Sequence, residues 1–149
     1  PWYDYSWKGS LEKSGGISTN IGIHFFDMLI WIFGDVQESK VFLSEKNKMS
    51  GFVELENAHV NWFLSIDSND LPAAATEKGM TTYRSITYNG KEIEFTGGFT
   101  DLHTLVYKDI LEGNGYGLED ALPSIELVYA IRNAKTSMKN DLAHPFLNE

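Results

Sequence analysis

The chain has 149 residues, 42% hydrophobic and 13% aromatic, a composition that predicts one ordered domain and argues against disorder. Its formal net charge of −9 argues against non-specific binding to nucleic acid and against docking on an anionic membrane. With no cysteine, it has no disulfide framework and no thiolate metal site, which fits a cytoplasmic protein. We expect no membrane span, because the longest apolar run, from Ile21 to Gly34, contains His24 and Asp27.

The first 13 residues are predicted to form an irregular lead-in that is rich in aromatic side chains, namely Trp2, Tyr3, Tyr5 and Trp7. One interpretation is that this segment folds across a hydrophobic surface. The other is that it borders a ligand site, where Lys8 or Lys13 contacts a phosphate or carboxylate as a point charge. The sequence leaves both interpretations open.

The segment from Ser14 to Gly34 is predicted to contain the central helix of the fold. Ser18 or Thr19 supplies a side-chain oxygen that can cap the helix, and Gly34 stands where a left-handed residue would end it. The apolar residues at helical spacing are Ile21, Phe25, Met28, Leu29 and Ile32. Most other positions are also apolar, so we expect the helix to be buried on nearly all sides.

A second face of this helix carries polar groups, with Asn20, His24, Asp27 and Trp31 at helical spacing. Gly22 lies between them, and a glycine inside a helix costs about 1 kcal/mol relative to alanine, which indicates close approach of another group. One interpretation makes His24 a core histidine bonded to Asp27 or to a carbonyl. The other makes Asn20 and His24 two contacts of one ligand.

Strands are predicted after the helix, and two further helices close the chain. The strands cover residues 36–44, 51–56, 57–67, 80–88 and 91–95, with Asn89-Gly90 as a hairpin turn. A helix at 101–111 is capped by Thr100, and a last helix is capped by Asp120. The predicted inward residues of these helices are Leu102, Leu105, Val106, Ile110, Leu127, Ile131, Ala134 and Met138. The tail from residue 140 is predicted to be a loose end or a strap.

This order of elements predicts an α+β fold, with a mostly antiparallel, open-faced β-sheet and helices packed on one face. His103 lies in the first turn of the predicted helix at 101–111. It is either an exposed residue beside a capping Asp101 or a contact for an anion at the helix start. The four histidines lack metal-ligand spacing, so we predict no metal site.

The run Gly-Gly-x-x-x-Asn-x-Gly-x-His-x-x-Asp, from Gly15 to Asp27, resembles the signature that opens the second domain of the Gfo/Idh/MocA oxidoreductases. These are NAD(P)-dependent sugar and polyol dehydrogenases, which usually carry Asp where this chain has Asn20. Residues 6–9, 62–67 and 98–104 support a resemblance to one branch, the UDP-N-acetylglucosaminuronic acid 3-dehydrogenases of the WlbA/WbpB type.

The resemblance implies that residues 1–149 form a single C-terminal domain for substrate binding and oligomerisation. No Gly-x-Gly-x-x-Gly fingerprint is present, so the N-terminal Rossmann domain, which binds most of the NAD or NADP, is expected to lie outside this chain. The chain alone is therefore expected to be inactive. The resemblance also implies surface polysaccharide (O-antigen, lipopolysaccharide) biosynthesis and a homo-oligomer formed through the open sheet face.

For the site, the resemblance implies that His24 takes a proton from the sugar 3-hydroxyl, as a neutral imidazole can do at pH 7. The nucleotide-sugar substrate would be bound by Asn20, Lys8, Lys13 and His103, with no metal ion. The rival hypothesis is a non-catalytic binding or assembly module with the same α+β fold. A purely structural domain, however, has no need of Asn20 and His24 on one helical face.

Overall fold

The computed structural model describes residues 5–98 and 101–147. In chain order the helices and strands are α1 (Leu11–Ser14), α2 (Ile23–Phe33), β1 (Val36–Ser44), β2 (Lys48–Leu55), β3 (Ala58–Ser65), α3 (Ala73–Glu77), β4 (Ser85–Tyr88), β5 (Lys91–Glu94), α4 (Leu102–Leu111) and α5 (Leu118–Asn133). They fall into two compact units, and unit 2 is Asp67–Gly117. Unit 1 holds the remaining described residues. The antiparallel strands and the helices confirm the predicted α+β class.

The central helix begins with a π-helical turn, Ser18–Gly22, which continues directly into α2. Gly34 ends α2 with a φ of 87°, and its N–H donates to the carbonyl of Ile30 at 2.9 Å, so the predicted stop is confirmed. The predicted cap is wrong. The Thr19 hydroxyl donates to the carbonyl of Gly15 at 3.2 Å, and Ser18 is fully buried inside the turn.

Three strands of unit 1 form an antiparallel sheet in the order β1-β2-β3. Its inner face, which packs against α2, is centred on Trp62 of β3, opposite Gly51 of β2. The Phe26 ring of α2 meets the Trp62 ring edge-on, with centroids 5.4 Å apart. Both side chains are buried, and each removes a large apolar area from water, so this contact is central to the core of unit 1.

The buried face of α2 is different from the predicted one. Gly22, Phe26 and Leu29 are the buried residues of this stretch, and the opposite side is exposed, including Trp31 at 81% of its surface. The expectation that the helix is buried on nearly all sides is therefore wrong. Aromatic and aliphatic residues occur around the whole helix, so hydrophobicity alone could not identify the side that meets the sheet.

Gly22 allows the helix to approach the sheet closely. A Cβ added at Gly22 would lie 2.8 Å from Cδ1 of Leu64 on β3 and 2.9 Å from the Phe26 ring. The prediction of a close neighbour is confirmed, and that neighbour is the sheet. Gly22 is thus explained by packing within unit 1, and it carries no information about a ligand.

The outer face of the sheet is partly covered by the C-terminal tail. Phe42 and Phe52 form a buried cluster with Ala143, flanked by Leu142 and Leu147. Phe42 lies two residues after Lys40, which pairs with Phe52, so the alternation along β1 places Phe42 on the same face as Phe52. The tail is therefore a strap, one of its two predicted forms, and the expected open sheet face is open only in part.

His144 of the strap stacks on the Phe63 ring of β3, with centroids 5.7 Å apart, and its Nδ1 accepts the N–H of Phe146 at 3.2 Å. Burial lowers the pKa of His144. Protonation would place a donor where Nδ1 now accepts and would charge a half-buried ring. The strap contact is thus compatible only with neutral His144.

Acid is therefore expected to weaken this contact. Folding lowers the pKa of His144, so the neutral side chain contributes fully to the free energy of unfolding above the ordinary histidine pKa of about 6.5. That contribution is lost as the pH falls through the lowered pKa. Thermal melting between about pH 8 and pH 5 should show a smaller acid-induced loss for His144→Phe than for the wild type. His59→Gln, at an exposed position on β3, is the control. Parallel pH curves for the wild type and His144→Phe would contradict the prediction.

Helix α5 packs on α2, on the π-helical turn and on β1. Its buried side consists of Ser124, Leu127, Val128 and Ile131, so two of the four predicted inward residues are confirmed. The helix begins at Leu118, so Asp120 lies within the first turn and is not the cap. It ends at Asn133, and Ala134 and Met138, predicted to be inward, lie beyond it and are exposed.

Unit 2 contains the β4–β5 hairpin and helices α3 and α4. Asn89 and Gly90 both have positive φ, 50° and 75°, so the predicted hairpin turn is confirmed. This hairpin is a separate sheet, and Tyr88 therefore does not extend the three-stranded sheet of unit 1. The residues predicted to face inward from α4 are exposed, which makes that prediction wrong: Leu102, Leu105, Val106 and Ile110. Thr100 lies outside the described residues.

One stretch among the described residues, Leu11–Phe33, has the length and hydropathy of a membrane span, which the sequence prediction did not anticipate. It is not one straight helix, because Gly15 and Gly16 adopt positive φ of 79° and 81° between α1 and the π-helical turn. Phe26 and Leu29 bury its apolar face against the rest of unit 1. The apolar window of this stretch is 28% buried within the described chain.

Candidate functional site

The candidate site is built at the start of the central helix. Asn20 lies in the π-helical turn and is half-buried, and His24 follows one turn later in α2 with an exposed side chain. The chain reaches this turn through Ser14, whose hydroxyl donates to the carbonyl of Lys8 at 2.7 Å and accepts the N–H of Gly16 at 3.1 Å. These bonds tie the lead-in segment to the glycine bend that starts the helix.

His24 shares an exposed face of α2 with Asp27 and Trp31, three and seven residues further on. This face is opposite the side that carries Phe26 and Leu29 into the core. The interpretation of His24 as a core histidine is therefore wrong. An exposed imidazole beside a carboxamide, on a rigid helix, can accept a proton from a hydroxyl group and help to hold a polar ligand.

The lead-in segment contributes two candidate cations to the same unit. Lys8 lies in a short 3₁₀ turn, with its Nζ 6.0 Å from the centre of the Trp7 ring, and Lys13 is exposed in α1. Tyr5 is 92% exposed and Trp7 is also exposed, so these two aromatics do not fold across a hydrophobic surface of this chain. Trp2 and Tyr3, the other two, lie outside the described residues.

His103 belongs to unit 2 and lies in the first turn of α4, exposed like the rest of that helix. Asp101 precedes the helix in a left-handed conformation, with a φ of 60°, and forms no side-chain cap. Asp101 therefore makes no capping hydrogen bond, while its place at the start of the helix and the exposure of His103 agree with the first interpretation. Asn20, His24, Lys8 and Lys13 belong to unit 1, and His103 belongs to unit 2.

The described part of the chain contains no group of three His, Asp or Glu side chains placed to hold a metal ion. A groove of about 390 Å³ lies in unit 1, lined by Asp35, Val36, Ser39, Pro123, Glu126, Leu127 and Ala130. A second cavity of about 280 Å³ lies in unit 2 and includes Lys78, Tyr83 and Glu92. Neither of these two cavities is lined by Asn20 or His24, and the His24 side chain is exposed.

The fold is that of the C-terminal alpha/beta domain of an oxidoreductase. Residues 1–67 match the family model described as the oxidoreductase family, C-terminal alpha/beta domain. The chain belongs to the Gfo/Idh/MocA oxidoreductase family.

Two solved structures of the WlbA (WbpB) dehydrogenase from Thermus thermophilus are similar to this chain over 97% of its length. The complex with NAD and alpha-ketoglutarate is 46% identical, with a TM-score of 0.93. The complex with NAD and UDP-GlcNAcA is 44% identical, with a TM-score of 0.92. The chain spans 47% of each of these structures, so about half of the similar protein has no counterpart in it.

Proposed function

We propose that this chain is the substrate-binding and oligomerisation domain of an NAD(P)-dependent dehydrogenase that oxidises the 3-hydroxyl of UDP-N-acetylglucosaminuronic acid. The observation that carries the proposal is the exposed His24, one turn after Asn20, on a helix face that the rest of the described chain leaves open. The similarity to a dehydrogenase solved with NAD and UDP-GlcNAcA supports this substrate. The same similarity favours NAD over NADP.

In the proposed reaction the imidazole of His24 accepts the proton of the sugar 3-hydroxyl. The C3–O bond becomes a carbonyl as the hydrogen on C3 leaves with its electron pair. NAD⁺, held mainly by the half that this chain lacks, accepts that hydride when it is bound. His24 is suited to this role because its side chain is exposed while its backbone is fixed in a helix packed on the sheet through Phe26.

Asn20 orients the substrate or the His24 side chain in this proposal. A carboxamide cannot ionise, so Asn20 acts through hydrogen bonds and not through charge. The chain is strongly acidic, whereas the proposed substrate carries a diphosphate and a carboxylate. Lys8 and Lys13 supply positive charge in unit 1, and His103 is a further proposed contact at the start of α4.

We also propose that the full-length protein self-associates and acts in the cytoplasm, in the synthesis of a surface polysaccharide. Exposed apolar residues support burial against another surface, and α5 carries four of them at helical spacing: Leu118, Leu122, Ile125 and Tyr129. The outer sheet face is proposed as a contact between subunits only where the strap does not cover it. Sedimentation of the full-length protein checks this part of the proposal.

The test compares the full-length protein with this chain alone. The full-length protein is expected to reduce NAD⁺ when UDP-N-acetylglucosaminuronic acid is added, giving a 3-keto product detectable by mass spectrometry. This chain alone should give no turnover and a flat calorimetric titration with NAD⁺, because it has no glycine-rich phosphate turn. UDP-N-acetylglucosamine, which lacks the carboxylate, is the control substrate. NAD⁺ binding by the chain alone, or no turnover by the full-length protein, would refute the proposal.

A further inference from the structure

The helix that carries Asn20 and His24 is not α-helical throughout. Residues Ser18–Gly22 form a π-helical turn, and α2 follows without a break. Such turns are rare, and they are frequently found at functional sites. This one also buries the Ser18 hydroxyl, which has no hydrogen-bond partner among the described residues. Both features are unfavourable, so specific contacts must hold the turn in place.

The Thr19 hydroxyl makes one of these contacts. It donates to the carbonyl of Gly15 at 3.2 Å, and in a regular α-helical turn that carbonyl would accept the N–H of Thr19 itself. Gly15 and Gly16 have positive φ, 79° and 81°, and the helix starts only at Ile17, so the hydroxyl bonds this carbonyl at a bend that lies outside the right-handed helix. Gly15 fits the arrangement, because its φ is 79° and a Cβ there would lie 2.7 Å from Thr19 Oγ1. The N–H of Asn20 donates to the carbonyl of Gly16 at 2.9 Å, which links the glycine bend to the π-helical turn.

The turn changes the angle between the two site residues. In an α-helix of 3.6 residues per turn, side chains four residues apart are offset by about 40° around the axis. A π-helical turn takes more residues per turn, so the offset between Asn20 and His24 is smaller. At the other end of the turn, Gly22 lies against Leu64, which keeps the sheet-facing side of the helix in contact with β3.

We propose that Thr19 is a positioning residue, whose hydroxyl bond to Gly15 maintains the π-helical turn and so aligns the Asn20 carboxamide with the His24 imidazole toward one sugar. This inference rests on the proposed function and assigns a role to a side chain that does not itself touch the substrate. The alignment matters because small misplacements of reacting groups lower rates strongly.

The test uses the full-length protein with two matched variants. Thr19→Val keeps the shape of the side chain and removes the donor, whereas Thr19→Ser keeps the donor. We expect Thr19→Val to lower kcat by about 10- to 100-fold with a nearly unchanged melting temperature, and Thr19→Ser to remain close to the wild-type kcat. The crystal structure of Thr19→Val is expected to show an α-helical turn with Asn20 rotated away from His24.

The outcomes separate this inference from the proposed function. Wild-type kcat in Thr19→Val, equal losses in both Thr19 variants, or a retained π-helical turn in the Thr19→Val crystal would each overturn the positioning role. None of these results affects the proposed base if His24→Ala is inactive in the same assay. A fully active His24→Ala variant would refute the proposed function, and the role of the turn in catalysis with it.

Discussion

Replacing His24 with alanine in the full-length protein is expected to lower kcat by about 10²–10⁴-fold, the range for loss of a general acid–base group. The variant should fold normally, because the His24 side chain is exposed and the core beneath α2 is formed by other residues, Phe26 and Leu29. Exposed substitutions of this kind usually change stability by less than about 0.5 kcal/mol. Steady-state kinetics with UDP-N-acetylglucosaminuronic acid, beside thermal melting, measure both quantities.

Two further variants make the His24 result specific. Asn20→Ala should act more weakly and mainly on KM, because orientation is lost and proton transfer is retained. His59→Ala removes another exposed histidine, on the outer sheet face, and should leave kcat unchanged. A normal kcat for His24→Ala together with a much lower melting temperature would mean that His24 has a structural role, and the catalytic hypothesis would be abandoned.

Local signals in the sequence were sufficient for several elements. The end of α2 at Gly34 and the Asn89-Gly90 hairpin depend on residues that favour positive φ, and this preference acts over two or three residues. The bounds of β1, Val36–Ser44, agree with the prediction. The placement of Asn20 one helical turn before His24 was also predictable, since it needs only helical spacing.

Features that depend on distant partners could not be predicted. The buried side of α2 is set by Leu64 and Trp62, which lie about 40 residues later in the chain. The apolar residues of α4 are exposed, although their spacing is that of a core helix. Periodicity therefore identifies an apolar face but does not identify the surface that covers it. The π-helical turn at Ser18–Gly22 has no signature in local composition.

The site itself follows the same division. Its residue types and spacing were visible in the sequence, whereas its openness was not, because a mostly apolar helix was expected to be enclosed. The surface around His24 and Trp31 is exposed in a chain that spans about half of the similar dehydrogenase. Part of that surface can therefore be one that the other half covers. In the proposed function, the missing half supplies the opposite wall and the nicotinamide.

Gly51→Ala is expected to be the most destabilising single-methyl substitution in the sheet. A Cβ at Gly51 would overlap the carbonyl oxygen of Lys40 on β1 and would lie 2.6 Å from Cζ2 of Trp62 on β3. Neither neighbour can move freely, because the carbonyl belongs to a paired strand and the Trp62 ring is held by Phe26 at 5.4 Å. Either the β1–β2 ladder or the packing of α2 on the sheet must therefore be distorted.

The expected loss is about 3 kcal/mol, the upper part of the usual range for overpacking, since a backbone atom is one of the two obstacles. For 150–250 residues that loss corresponds to a fall in Tm of about 6–12 °C, and the fall is smaller in a longer protein. The matched control is Gly97→Ala, where an added Cβ has no atom within 4 Å and Tm should not change. Thermal unfolding of both variants in the full-length protein measures the difference. Equal Tm values would mean that β1 and Trp62 can move apart at little cost in free energy. The close packing at Gly51 would then contribute little to holding the helix that carries His24 against the sheet.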